Sequence, residues 1–220
     1  MDSTTYILWD WNGTLLDDTD AALATLNFMI AERGGTPMTM AYYRDRFAFP
    51  VKPFYDAIGI VAKDEAEWDA IAREYHEVYA RQPKRLNHGA VAALETVRRA
   101  GVKQSIISAL RQDLLEKDVS DYGVKDYFEC VYGTDNLDGA SKLDRALELL
   151  QRIVETARPG ESDLRRVVLI GDALHDKEVA DALGVRCVLC AQGSHAAWRL
   201  REVAPTGDTL AEAVRLALSL

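Results

Sequence analysis

The chain has 220 residues, enough for one well-filled hydrophobic core with a small second unit beside it. Its 48% hydrophobic and 28% charged residues are those of an ordinary globular protein and exclude the disordered and fibrous classes. A net charge of -9, from 26 basic and 35 acidic residues with no basic run among them, repels a phosphate backbone and argues against nucleic acid as a partner.

No stretch approaches the roughly 18 consecutive apolar residues of a membrane span, so no membrane partner is expected. The first residues, MDSTTYILWD, carry acid where a secretory leader carries base, and a cytoplasmic location is expected. Cys130, Cys187 and Cys190 are too few for a disulfide framework. Cys187-x-x-Cys190, with His195 beyond it, lies on an apolar run that reads as a strand. Residues i and i+3 of a strand point to opposite faces, so these are expected to be core cysteines rather than a redox pair or zinc site.

The first predicted element is a strand over Tyr6–Trp9, ending on Asp10 and followed by Trp11-Asn12-Gly13-Thr14. From Asp17 to Asn87 the pattern is helical, with no strand: a helix over Ala21–Arg33 stopped by Gly34-Gly35, a loop over Phe47–Lys52 containing Pro50, a short helix up to Gly59, and a long acid-led helix over Asp64–Ala80. A helix over Ala90–Arg99 and a strand over Lys103–Ser108 come next, and Phe128–Tyr132 offers a further strand. Then follow a helix over Leu143–Val154, strands over Val167–Ile170 and Val185–Cys190, and a closing helix over Thr209–Leu218. Strands alternating with helices predict an α/β fold, a Rossmann-like parallel sheet flanked by helices. The core is expected to span residues 1–16 and 88–220, with 17–87 as an inserted all-helical cap. Ligands of such sheets bind beyond the carboxyl ends of the strands, where this insertion would hang as a lid.

Polar residues collect at those strand ends. The first run delivers Asp10, Asn12 and Thr14, the second ends on Ser108, and the run VVLIGDALHD delivers Asp172 and Asp176. Lys142 opens a helix that Ser141-x-x-Asp144 would cap. Singly, each has an ordinary reading as a turn, cap or solvated residue. Jointly, they would bring carboxylates, a hydroxyl and an ammonium to one spot, a set suited to a hard cation such as Mg²⁺ and to phosphate.

These residues carry a family resemblance. D-W-N-G-T-L resembles the first motif of the haloacid dehalogenase-like hydrolases, commonly D-x-D-G-T-L. The strand SIIS closing on Ser108 is similar to their second motif, Lys142 to the third, and G-D-A-L-H-D to the fourth. The resemblance runs from Tyr6 to about Leu218 and is nearest to the phosphoglycolate phosphatase and β-phosphoglucomutase branch. It implies an Mg²⁺-dependent phosphatase for a small phosphorylated metabolite. Asp10 would be the nucleophile. The Asp10 carboxylate, the Asn12 backbone carbonyl, Asp172 and Asp176 would hold the metal, Asp176 directly or through water. Ser108 and Lys142 would bind the phosphoryl group, with Thr14 supporting the turn and Ala109 and Lys52 lining the substrate site.

The chain departs from the pattern at Ala109, where Asn is frequent, at Leu143, where Pro is frequent, and above all at Asn12. The usual second Asp passes a proton to the leaving oxygen and takes one from water, which an amide cannot do. A missing general acid–base group is worth about 10²–10⁴ in rate. Two rivals follow: a phosphate-binding regulatory protein without turnover, and a phosphonoacetaldehyde hydrolase-like C–P hydrolase, whose D-W-A-G-T motif also lacks the second Asp and whose cap lysine would be Lys52. Oligomeric state is left open.

Overall fold

The computed structural model describes residues 4–135, 142–156 and 163–220. In chain order the elements are β1 (Tyr6–Trp9), β2 (Leu16–Asp17), α1 (Thr19–Glu32), α2 (Met40–Arg46), α3 (Val51–Ala57), α4 (Glu65–Ala80), β3 (Arg85–Leu86), α5 (Ala90–Arg99) and β4 (Lys103–Arg111). There follow α6 (Gln112–Asp121), β5 (Cys130–Thr134), α7 (Lys142–Thr156), β6 (Val167–Gly171), α8 (Leu174–Leu183), β7 (Arg186–Cys190), α9 (Ala197–Arg201), β8 (Thr206–Gly207) and α10 (Leu210–Ser219).

Six strands form one sheet in the order β5-β4-β1-β6-β7-β8, and every pair is parallel. The strands are apolar because both faces are covered, and alternate residues divide between two cores. Ile7 and Trp9 of β1 pack with Leu94 of α5, Leu115 of α6 and Val214 of α10. Tyr6 and Leu8 of the same strand pack with Leu149 of α7, Val179 of α8 and Leu200 of α9. The polar groups this buries are paired: the Trp9 indole donates to Gln104 Oε1 at 2.9 Å, and Gln104 Nε2 donates to the Leu94 carbonyl at 3.0 Å. The α/β expectation holds.

The chain winds from β1 outward through β4 and β5, then returns to β6 on the other side of β1. That reversal opens a crevice at the carboxyl end of β1, the switch point of a doubly wound sheet. Between β1 and α5 the helices α1–α4 enclose a third cluster that includes Leu26, Met29, Tyr43, Phe54, Ile60 and Ile71. Their caps follow local chemistry: Thr39 Oγ1 accepts from Tyr42 N at 3.2 Å and Asp64 Oδ1 from Glu67 N at 2.8 Å.

Strand β5 is shifted two residues from the expected Phe128–Tyr132, to Cys130–Thr134, and three further boundaries differ from expectation. The segment read as wholly helical is closed at its stem by the antiparallel pair β2–β3, in which Leu16 faces Leu86 and Asp17 faces Arg85. Two-residue strands are too short for any period to register. The expected loop over Phe47–Lys52 stops at Pro50, because the proline supplies the extended residue before α3, and Lys52 lies in the first turn of that helix. Strand β4 continues three residues past Ser108 to Arg111. The expected Ser141 cap lies outside the described residues.

Candidate active site

Strand register brings the site together. Trp9 pairs with Ile106 of β4 on one side and Ile170 of β6 on the other, so Asp10, Ser108 and Asp172 emerge side by side where β1 ends. Lys142, at the start of α7, places its ammonium 2.6 Å from Asp10 Oδ1 and 2.6 Å from Asp176 Oδ1. Asp176 lies in the first turn of α8, and its Oδ2 accepts the N–H groups of Asp172 at 3.1 Å and Ala173 at 3.0 Å. Asp172 Oδ2 accepts from both Ser194 N and Ser194 Oγ at 2.6 Å, and Thr14 Oγ1 donates to its Oδ1 at 3.2 Å.

Asp10, Asp172 and Asp176 are all buried, with one oxygen of each within 4.8 Å of the others. Three acids so close cannot all stay ionised beside one ammonium. Burial raises the Asp10 carboxyl well above its usual range, against the pull of Lys142 and with the repulsion of Asp176 and Asp172. Burial and Asp176 push Asp172 up to about 7. Burial works the same way on Asp176, but Lys142 outweighs it and holds this carboxyl below its usual value. Burial opposes the Lys142 charge, yet Asp10 and Asp176 hold its pKa above normal. A set of hard oxygen donors with surplus negative charge fits a divalent cation. The space around it is kept by glycines: a Cβ on Gly193 would stand 2.1 Å from Asp172 Oδ2, and one on Gly13, whose φ is +75°, would stand 2.4 Å from the same oxygen.

Asn12 faces the other half of the site. Its Nδ2 donates to Asp18 Oδ2 at 2.8 Å and to the Tyr79 hydroxyl at 3.0 Å. A carboxylate accepts only, so the amide must turn its NH₂ to Asp18. That turns Oδ1 toward Ser108, whose Oγ lies 3.5 Å away and accepts from Leu110 N at 3.1 Å. Asp18 is buried and takes two more donors, Gly13 N at 2.7 Å and the Tyr79 hydroxyl at 2.5 Å. Burial raises the Asp18 carboxyl above its ordinary value against these donors, and raises the Tyr79 phenol still further with the Asp18 charge beside it.

Asp10, Asn12, Thr14, Ser108, Lys142, Asp172 and Asp176 therefore meet, and Ala109 lines the same cavity. Lys52 does not join them. It is exposed on α3 with its ammonium 5.6 Å from the centre of the Trp68 ring, and it is absent from the described cavity lining. Its neighbour Val51 and the Trp68 ring do line the cavity. His175 of the GDALHD segment pairs with Glu178 Oε2 at 3.1 Å and stacks on Phe49, ring centres 5.0 Å apart, rather than facing Asp10 as a base. Cys187 and Cys190 pack on opposite faces of the sheet, as i and i+3 should, and His195 is buried with Nδ1 accepting from Leu174 N at 3.1 Å.

Sequence reasoning missed Asp18, Tyr79 and Ser194. The acid pair Asp17-Asp18 stands directly after the first motif and is a local signal. Tyr79 and Ser194 reach the site only through tertiary packing, across 61 and 22 residues of chain respectively.

A cavity of about 180 Å³ extends from these acids into the helical insertion, where Tyr43, Phe47, Tyr55, Trp68 and Tyr75 line it. The insertion is clasped to the core by α9 and the loop before it: Arg44 Nε donates to the Gly193 carbonyl at 3.0 Å, and Arg199 Nη1 to the carbonyls of Arg44 at 3.0 Å and Phe47 at 2.9 Å.

The class is defined by a doubly wound α/β sheet with acids and one ammonium at its switch point, beneath a helical insertion. The chain belongs to the haloacid dehalogenase-like hydrolases, whose family model matches residues 7–190. A predicted phosphatase from Clostridium acetobutylicum superimposes with a TM-score of 0.80 at 16% identity, over 99% of this chain and 100% of that one. A predicted phosphoglycolate phosphatase from Haemophilus somnus does so at 0.72 and 14%, over 97% of each chain. Protein tyrosine kinase A of Mycobacterium tuberculosis does so at 0.76 and 23%, over the whole of both chains. A search of curated proteins returned no match. At these identities the three structures share the fold.

Proposed function

We propose that the protein is an Mg²⁺-dependent phosphatase for a small phosphorylated metabolite, and that it works through an aspartyl-phosphate on Asp10. The observation that carries this reading is the buried cluster of Asp10, Asp172 and Asp176 around the Lys142 ammonium. Asp10, Asp172 and Asp176, with the Asn12 backbone carbonyl, would hold the cation. When bound, it supplies charge neutralisation for the transferring phosphoryl oxygens. Asp10 attacks phosphorus as its carboxylate, and Lys142 and Ser108 stabilise the charge that develops on the phosphoryl group. Residues 17–87 act as a cap domain that excludes water and selects the substrate. Its three free cysteines suit a cytoplasmic protein.

The test is phosphate release from a panel of phosphate esters that includes phosphoglycolate and sugar phosphates, with Mg²⁺ and with excess chelator. Release that stops in chelator and returns with Mg²⁺ is expected, and undiminished release in chelator contradicts the reading. A second reading, phosphate binding without turnover, is favoured by the Asn12 amide alone. It predicts binding of inorganic phosphate with no release from any ester.

The acids also set a pH-dependent metal effect. The raised carboxyls of Asp10 and Asp172 give the metal-free fold more bound protons than the unfolded chain above pH 3.8, so its stability falls as pH rises from there toward 7. Asp176, lowered, acts oppositely only below its ordinary range. A cation that binds the ionised acids offsets the loss. The rise in Tm on adding Mg²⁺ should therefore be larger at about pH 8 than at about pH 5 by calorimetry. A rise that shrinks with pH contradicts the assignment of these acids to the metal.

A further inference from the structure

We propose that the substrate is an aryl phosphate, a phosphate monoester of an uncharged phenol, whose ring occupies the aromatic cavity of the helical insertion. The proposal rests on the phosphatase reading and adds the leaving group to it.

The cavity walls argue for a ring. Tyr55 meets Trp68 edge-on with ring centres 5.5 Å apart, and Tyr75 lies 6.3 Å from Tyr55. Tyr75 in turn stacks on Tyr79 at 5.6 Å and 15°. The Tyr79 hydroxyl is bonded to Asp18 and Asn12, so this aromatic wall runs directly into the phosphoryl end of the site. On the opposite rim Phe47 and Phe49 meet edge-on at 5.4 Å. Flat rings prefer such edge-to-face and offset neighbours, and a lining of this kind rewards an aromatic guest over an aliphatic one of equal size.

The charges argue against the small acids otherwise expected. Among the described lining residues there is no arginine, and the one lysine is Lys142, already shared between Asp10 and Asp176. The other basic side chains there are His76 and His175, and His175 is committed to Glu178 and to the Phe49 ring. A carboxylate on the substrate would be buried among phenol and indole rings with no dedicated cation, beside a surplus of acids.

Asn12 argues for a phenol independently of the cavity. In the first step the Asp10 oxygen–phosphorus bond forms while the phosphorus–oxygen bond to the ring breaks, and the phenoxide departs with the bonding pair. A phenoxide is a weak enough base to leave unprotonated and take its proton from solvent later. An alkoxide needs that proton in the transition state, and the amide at position 12 has none to give. In the second step water adds to phosphorus, the acyl–phosphate bond breaks, the Asp10 carboxylate is restored, and the water proton goes to solvent.

The experiment separates ring recognition from chemistry. Isothermal titration of the full chain in Mg²⁺ compares benzylphosphonate with methylphosphonate, neither of which can be hydrolysed. Benzylphosphonate should bind at least about tenfold tighter, the scale of burying one ring. Tyr75→Ala and Trp68→Ala should each bring its affinity toward that of methylphosphonate. Ala72→Leu, which fills the same cavity from α4 and removes no packing, should do likewise. Rapid-quench rates of the first step on phenyl, benzyl and acetyl phosphate complete the test: the two ring compounds should half-saturate it at lower concentration than acetyl phosphate, and the two good leaving groups should share the faster first step. Equal binding of the two phosphonates, or a higher kcat/KM for phosphoglycolate than for phenyl phosphate, overturns the substrate class while leaving a phosphatase. Ring-selective phosphonate binding with no turnover of any ester removes the phosphatase reading instead, and with it the aryl phosphate as substrate.

Discussion

Replacing Lys142 with alanine is expected to lower kcat by about 10²–10³, the usual loss when a donor to the charge of a transition state is removed. Its ammonium stands 2.6 Å from both Asp10 and Asp176 and is the only lysine in the described lining of the cavity. Nothing else there can neutralise Asp10 from that side as it attacks an anionic phosphoryl group. The same change leaves two buried carboxylates short of their counter-charge, so it should also lower the stability of the metal-free protein, by about 3–5 kcal/mol if neither takes up a proton. Mg²⁺ should return part of that stability and little of the rate. Lys142→Arg should rescue poorly, because a planar fork cannot occupy a point between two carboxylate oxygens. Rates at saturating Mg²⁺, with denaturation curves on the same samples, check both parts. Wild-type activity in Lys142→Ala would mean that the cluster around it has nothing to do with turnover.

Asn12→Asp should act in the opposite direction, raising turnover of alkyl phosphates by up to about 10²-fold. The substituted side chain would keep the place of the amide and supply the proton that an alkoxide needs. Its surroundings favour the protonated form. The Asn12 amide nitrogen lies 2.8 Å from Asp18 Oδ2, so a carboxylate in its place would meet another and the two would share a proton. That pair is the acid the wild type lacks. The gain in the rate of the first step should be large for benzyl phosphate and small for phenyl phosphate, which does not need the proton, while breakdown of the phospho-enzyme should quicken equally for both. Asn12→Asp combined with Asp18→Asn keeps the carboxyl but removes the neighbour that holds its proton, and should lose part of the gain at neutral pH. Single-turnover rates of phospho-enzyme formation from the two esters, for the three proteins, read this directly. Equal gains on both esters would show that position 12 acts on something other than the leaving group.

The parts of this account that sequence made legible are those with a local pattern. Strand β1 is an apolar run bounded by a carboxylate, β6 is another, and α4 begins at a capping Asp64 and stops before Pro83, so their limits lie close to expectation. The acids and Lys142 could be assigned to one site because a parallel sheet brings the ends of its strands together whatever the intervening chain does. Contacts made across the fold left no such trace. The bond from Tyr79 to Asp18 joins the end of α4 to the residue before α1, and only the packing of the insertion on the core creates it. The aromatic residues of α2, α3 and α4 carry no pattern that separates core from cavity lining, and Tyr43, Phe54 and Tyr55 belong to the core cluster of the insertion. That Tyr55, Trp68 and Tyr75 also face a cavity depends on how the helices cross. The start of α3 is hidden for a related reason. A proline at position 50 read as a loop signal, whereas it begins α3 and sends the lysine out over the Trp68 ring.

A covalent intermediate on Asp10 is the claim on which everything else depends. Rapid quench of the protein with phenyl phosphate and Mg²⁺, followed by mass spectrometry of the intact chain and its peptides, tests it most directly. Without an acid–base side chain at position 12 the phospho-enzyme should break down slowly and accumulate. The account predicts one added phosphoryl group on the peptide containing Asp10, labile to hydroxylamine, absent in chelator and absent in Asp10→Asn. Steady release of phosphate with no labelled Asp10 at any time, or with undiminished release from Asp10→Asn, would contradict it.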